Sequence, residues 1–142
     1  LEFIDCAALE REIDRLRKQT KLAILPGRNP PIDSIERELS QYFEGTLRAF
    51  TTPLFLLGTP FQRAVWEELK KIPHGETRSY GEIARAIDKP SAFRAVAQAN
   101  GANQLAIVIP CHRVINTNGE LGGYAGGLTR KKWFLEHEKK GL

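Results

Sequence analysis

The 142-residue chain has no methionine, two tryptophans and two cysteines. Cys6 and Cys111 lie far apart and form no Cys-x-x-Cys pair, so neither a disulfide framework nor a zinc site can be argued, and a reducing compartment is the simpler expectation. There is no long apolar run, secretion signal, repeat or low-complexity segment, so no membrane association is expected. The missing initial methionine is what a trimmed or processed chain would show.

A hydrophobic content of 42% is enough for a packed core. The charge is uneven: residues 1–58 hold eight basic and nine acidic groups, and residues 59–142 hold thirteen and eight. A basic carboxyl-terminal half suits a nucleic-acid-binding lobe, although a solvated helix face produces some of the same excess. The composition shift near Leu57 and Gly58 marks the expected boundary, with an N-terminal lobe at 1–57 and a second domain at 58–142.

Leu9, Ile13 and Leu16 recur at helical spacing, and the stretch from Pro26 to Pro31 should break any regular element. Asp33 then begins an amphipathic run through Ile35, Leu39, Tyr42 and Phe43 that stops at Gly45. Lys21–Leu25, Leu47–Phe50 and Leu54–Leu57 look strand-like. Thr59 with Gln62 makes a capping box, and Pro60 suits the first helical position, so a helix should run from Pro60 toward Lys71 with Phe61, Val65, Trp66 and Leu69 inward. Ser79 with Glu82 repeats the box. Ile83 and Ile87 face inward, Asp88-Lys89-Pro90 forces a turn, and Ser91 starts a helix through Asn100. This pattern reads as a helix-turn-helix, with an ordinary helical hairpin as its rival. A last helix is expected from Arg130 to Lys139, capped by Thr129 and carrying Trp133 and Phe134 inward.

The most informative stretch is Ile109-Pro110-Cys111-His112-Arg113-Val114, which follows an apolar run, Leu105–Ile109, that reads as a buried strand. Pro110 would end the strand ladder and place the thiol on a defined turn. A cysteine is nucleophilic only as thiolate, and His112 and Arg113 are the adjacent base and cation that could supply that state. A buried structural cysteine beside a satisfied histidine is the competing reading. Gly122-Gly123-Tyr124-Ala125-Gly126-Gly127 follows closely, and such a loop lets backbone approach a ligand, which favours a pocket wall over a surface turn.

With these residues in place, the chain resembles the O6-alkylguanine-DNA alkyltransferases, whose hallmark is a Pro-Cys-His-Arg-Val segment. The match also covers Gly58-Thr59-Pro60-Phe61-Gln62 with Val65-Trp66, Ile72 to Thr77 with Ser79-Tyr80, Arg94-Ala95-Val96, Gly123-Tyr124, Gly126-Gly127-Leu128 and Trp133 to Glu138. Roughly the last 85 residues take part, and the first 25 match poorly. The resemblance implies an α/β (α+β) chain: a small, reduced N-terminal lobe, then a mainly helical C-terminal domain with a helix-turn-helix and a short active-site strand.

The resemblance also implies direct-reversal DNA repair: stoichiometric, irreversible transfer of an alkyl group from O6-alkylguanine in DNA to Cys111, with O4-alkylthymine open as a second substrate. His112 would take the thiol proton directly or through water, oriented by Glu138. Tyr80 would hydrogen-bond the flipped base, and Asn103 would tie the turn before Cys111. Val114, Tyr124, Ala125 and Gly126 would contact the base, through backbone groups at Cys111, Val114 and Ala125. Arg94 would fill the gap left by the extruded nucleotide, with Ser91, Ala95 and Arg113 as further DNA contacts and Ala92, Ala97 and Ala99 allowing close approach to the minor groove. Ala125 stands where some members have serine, and Asp88 and Phe93 are less typical. Neither cofactor nor metal is implied. The expected partner is double-stranded DNA carrying O6-alkylguanine, bound by a monomer, with cooperative binding along DNA open. Localisation would be intracellular, at the nucleoid or in the nucleus.

Three classes therefore stand side by side: a suicide alkyltransferase, a non-reactive lesion-binding module, and a Cys-His hydrolase or acyl transferase. Relatives of the second kind lack the cysteine where this chain has Cys111. The third would turn over repeatedly and would need no basic helix-turn-helix. His74 and His137 carry no functional expectation.

Overall fold

Leu9, Ile13 and Leu16 do fall within one helix, α1 (Leu9–Thr20), which leaves no side chain fully buried. The computed structural model describes residues 1–7 and 9–141. Helix α2 (Pro30–Phe43) starts three residues before Asp33. The side chain of Asn29 caps it by accepting from the Ile32 amide at 3.0 Å, and Pro30 and Pro31 occupy the first turn, where a missing N–H costs nothing. The prolines expected to break the chain therefore begin a helix. Past α2, Gly45 takes a φ of 76°, the left-handed conformation that ends helices.

Lys21–Leu25, Leu47–Phe50 and Leu54–Leu57 are irregular rather than strands. An extended segment counts as a strand only with a partner ladder, and Lys21–Leu25 lies exposed to solvent. Glu38 instead ties the neighbouring segment to α2: its carboxylate accepts from the amides and hydroxyls of Thr51 and Thr52.

The remaining elements are α3 (Pro60–Lys70), β1 (Arg78–Ser79), α4 (Tyr80–Ala86), α5 (Phe93–Gly101), a 3-10 turn at Cys111–Arg113, β2 (Val114–Ile115) and α6 (Leu128–Lys140). Both capping boxes form, at Thr59 with Gln62 and at Ser79 with Glu82. Asp88, at φ 57°, bends the chain between α4 and α5. Ser91 does not start α5, which begins at Phe93 without a side-chain cap. Strands β1 and β2 pair in parallel, Arg78 opposite Val114 and Ser79 opposite Ile115, which ties the start of the helix-turn-helix to the segment just after Cys111.

Helices α3, α4 and α5 pack together around Val65, Trp66, Leu69, Ile83, Val96 and Ala99. Trp66 Nε1 donates to the Ala99 carbonyl at 2.8 Å, pinning α3 to α5. Ala99 is thus a core residue, 3% exposed, and not part of a groove-facing surface. A second cluster joins Tyr42 of α2 to Ile107 and Phe134, so packing crosses the expected boundary at residue 57. In α6 the buried residues are Lys131, Phe134, Leu135 and Glu138, one face at i, i+3, i+4 and i+7. Trp133 therefore points away from the core, stacked on His137 with ring centroids 4.7 Å apart. Gly127, at φ 89°, precedes α6 in place of the expected Thr129 cap. The fold is mixed: mainly helical, with a small parallel sheet. Among the described residues no helix is long and apolar enough to cross a membrane.

Candidate active site

Leu105–Ile109 is a turn, not a strand, with Ala106 to Ile109 buried. Ile107 sits at φ 73°, a costly conformation for a β-branched residue, and this reverses the chain on the approach to Cys111. Asn103 holds the turn from within. Its Oδ1 accepts from the Leu105 amide at 2.9 Å, and its Nδ2 donates to the Ile109 carbonyl at 2.9 Å and to Cys111 Sγ at 3.1 Å. Cys111 then opens the 3-10 turn that leads into β2.

The two residues that follow Cys111 belong to a buried charge cluster centred on Glu138. His112 Nε2 is 2.7 Å from Glu138 Oε1, and both residues are fully buried. Arg113 donates through Nε and Nη2 at 2.8 and 3.0 Å, Tyr42 through its hydroxyl at 2.8 Å, and Gly75 through its amide at 3.1 Å. Burial alone would raise the Glu138 carboxyl, but the hydrogen bonds from His112 and Arg113 outweigh it and hold the group below the usual carboxylate range. A carboxylate facing Nε2 fixes the hydrogen there, which leaves Nδ1 of a neutral ring as the acceptor; that atom is buried without a partner among the described residues. Burial pulls His112 below its ordinary value, so the ring is neutral at pH 7 and able to take a proton.

Arg113, expected to contact DNA, is 6% exposed, and its remaining Nη1 donates to the Ile72 carbonyl at 2.6 Å. It neutralises Glu138 instead of reaching a phosphate.

A cavity of about 460 Å³ gathers most of the expected residues: Cys111, Tyr80, Arg94, Asn103, Tyr124, Ala125 and Gly126. Phe3 forms part of its wall, edge-on to Tyr124 with centroids 6.4 Å apart. Gly122 has φ 67°, and a Cβ there would meet the Tyr80 ring at 3.3 Å, so this glycine permits the close approach of the loop to Tyr80. Ser91 and Ala95 are exposed on the α4–α5 side, outside the cavity lining. Val114 is fully buried and also outside it.

Burial pushes the Cys111 thiol up to about 11, against the Asn103 hydrogen bond and the nearby Lys131 charge, which pull it down. The resting sulfur is therefore a thiol and needs a base. Burial also pushes Tyr80 up, and the neighbouring Cys111 adds to this, which keeps its phenol a donor. Lys131 is fully buried, with Nζ donating to the carbonyls of Val114 at 2.6 Å and Gly123 at 3.3 Å and also to that of Leu121. Burial lowers it to about 8, while Cys111 acts in the opposite direction. No group of three or more metal-ligating side chains gathers among the described residues.

Sequence reasoning missed Tyr42 and Lys131. A signal existed for Lys131, which shares the i, i+3, i+4, i+7 face of α6 with Phe134, Leu135 and Glu138. For Tyr42, 96 positions from Glu138, there was none.

Residues 60–140 match the family model of the 6-O-methylguanine DNA methyltransferase DNA-binding domain. A methylated-DNA–protein-cysteine methyltransferase of Mycobacterium tuberculosis is 56% identical over 102 residues, 72% of this chain and 62% of that relative. The protein of the same name from Mycobacterium leprae is 46% identical over 127 residues, 89% of this chain and 76% of that relative. A crystal structure of Mycobacterium tuberculosis OGT in complex with DNA superposes with a TM-score of 0.77 at 51% identity, covering 78% of this chain and 69% of that one. The chain thus spans less than two thirds of the length of the first of these relatives. By these matches, the chain belongs to the 6-O-methylguanine DNA methyltransferase family.

Proposed function

We propose that the protein is a single-turnover DNA repair protein that moves the alkyl group of O6-alkylguanine in double-stranded DNA onto Cys111. The observation that carries this reading is the position of Cys111: it lines a cavity, and the residue that follows it is the buried His112 paired with Glu138. His112 takes the thiol proton at Nδ1, directly or through a water, and Glu138 stabilises the imidazolium that forms. The sulfur attacks the alkyl carbon, the carbon–oxygen bond breaks, and its electron pair leaves with the guanine. Tyr80, at the cavity wall, donates to the departing base. The thioether has no easy route back to a thiol, so each molecule reacts once. O4-alkylthymine is the second lesion to test.

A base inside duplex DNA cannot reach this cavity, so the nucleotide must leave the stack. Arg94 both lines the cavity and is exposed on α5, which suits it to occupy the vacated space, with Ser91 and Ala95 against the backbone.

Intact mass after incubation with a duplex containing O6-methylguanine tests the reading, beside a Cys111→Ser control. The expected result is one added methylene, about 14 Da, absent from the control. No shift with tight lesion binding would make the protein a damage-recognition module. Repeated ester hydrolysis would make it a hydrolase.

A further inference from the structure

Tyr42 and His112 share one oxygen. His112 Nε2 lies 2.7 Å from Glu138 Oε1, the Tyr42 hydroxyl donates to the same atom at 2.8 Å, and Arg113 Nη2 does so at 3.0 Å. A carboxylate oxygen has about two lone pairs, so three donors compete for Oε1 and each draws less of its charge than it would alone. Glu138 Oε2 is engaged separately, by Arg113 Nε and the Gly75 amide.

Tyr42 is fixed from outside the site. It stands one residue before the end of α2, fully buried, with its ring against Phe50, Phe134 and His137 at centroid distances of 5.6, 6.3 and 5.3 Å. Its carbonyl lies 2.7 Å from His137 Nε2. Burial and then the Glu138 charge push its phenol up, so the hydroxyl keeps its hydrogen and acts here as a donor.

When His112 takes a proton at Nδ1, the positive charge that forms on the ring is held by Oε1, and every donor already on that oxygen weakens the hold. Several groups bear on the ring. Burial lowers it, the Glu138 hydrogen bond raises it, and Arg113 of the same turn and Lys131 of α6 lower it as full charges. His74, edge-on to Tyr42, and Tyr124 of the glycine-rich loop lie close to the Tyr42 and Glu138 pair. Tyr42 is the member of this set whose influence sits on one atom, removable with the ring packing left in place.

Resting on the alkyl-transfer reading above, we infer that Tyr42 is a positioning residue for that reaction: through the oxygen it shares with His112, its hydroxyl aims Glu138 and limits how firmly Glu138 holds a proton on the ring. A ring held too firmly is already charged when the Cys111 proton is offered. Helix α2, distant in sequence from the cysteine, thereby sets the strength of the base beside it.

The Nε2 hydrogen of His112, observed by NMR in protein carrying nitrogen-labelled histidine, reports on the shared oxygen. In Tyr42→Phe one competitor is gone and the bond to Oε1 tightens, so this resonance moves downfield. Placing 3-fluorotyrosine at position 42, a stronger donor of nearly the same size, moves it upfield. Loosened packing would weaken the bond in both proteins and move both upfield. The acid limb of the single-turnover rate on duplex O6-methylguanine moves as well, upward by about half a unit to one unit in Tyr42→Phe, because a ring that holds its proton more firmly charges at a higher pH. An unmoved or upfield resonance in Tyr42→Phe overturns the inference, and so does an acid limb that stays in place. If Tyr42→Phe does not fold, the 3-fluorotyrosine protein decides by the same two readouts with opposite signs. Wild type that transfers no alkyl group at any pH defeats the alkyl-transfer reading and the role in that reaction, while the resonance still decides whether Tyr42 acts on His112.

Discussion

The hydroxyl of Tyr42 donates to Glu138 Oε1 at 2.8 Å, joining α2 to α6 across 96 positions, and both side chains are fully buried. Tyr42 therefore shares with Arg113 and His112 the work of holding a desolvated carboxylate. Hydrogen bonds to buried charge are worth more than neutral ones, because the charge has no water to fall back on. Tyr42→Phe should cost about 1.5–3 kcal/mol, read as a lower urea midpoint at unchanged slope. An unaltered midpoint would show that Arg113, His112 and Gly75 suffice.

Arg94 is exposed on α5 while also lining the cavity, so two roles can be separated by substrate. A residue that replaces an extruded base matters only when a base must be extruded. Arg94→Ala should slow reaction with duplex O6-methylguanine by about 10- to 100-fold, the scale of a few kcal/mol of unstacking, and leave reaction with free O6-benzylguanine near wild type. Equal losses on both substrates would rule out the flipping role.

The parts of the fold legible in the sequence are those fixed by short-range chemistry. Thr59 with Gln62 and Ser79 with Glu82 encode their helix starts within four residues, and both boxes form. Periodicity failed where another constraint dominated. Leu105–Ile109 has a strand's composition, but Asn103 and the left-handed Ile107 fold it into a turn, and the true strand, Val114–Ile115, follows the cysteine. Pro30 and Pro31 read as breakers because proline signals a stop and a first turn equally well, and only the Asn29 cap decides between them. Among the site residues, Cys111 and His112 are adjacent in sequence, whereas Arg113, expected at the DNA, turns to Glu138. Its ion pair with Glu138 depends on how α6 packs, which no local pattern records.

Asn103 makes three hydrogen bonds inside eight residues, to Leu105, Ile109 and the sulfur itself. Asn103→Ala leaves the Leu105 amide and the Ile109 carbonyl without these partners, in a turn that already holds Ile107 at φ 73°. It should cost about 2–4 kcal/mol and slow alkyl transfer, since the donor that favours thiolate is also lost. The two effects are read by urea unfolding and by single-turnover rate. If both match wild type, the turn is held by packing alone.

Acid should destabilise the protein in two stages. In the folded chain burial keeps His112 neutral below its ordinary value of 6.5, whereas the unfolded chain takes up that proton near 6.5. Below that pH the unfolded state binds more protons, so stability falls as pH falls, by about 1.4 kcal/mol per pH unit per group. Glu138 acts with the same sign lower down: its folded carboxyl is depressed, so its contribution is intact above the ordinary value of 4.5 and is lost as pH drops from there toward the folded value. Burial lowers His74 in the same direction as His112, so His74→Gln serves as the background that isolates His112. Unfolding free energies measured in urea from pH 7 to pH 4 should decline below 6.5 and decline more steeply below 4.5. Stability that rises as the pH falls from 7 to 5 in the His74→Gln background would mean that His112 is already charged in the folded protein. It could not then accept the Cys111 proton, and the base for that step would have to be sought elsewhere in the cavity.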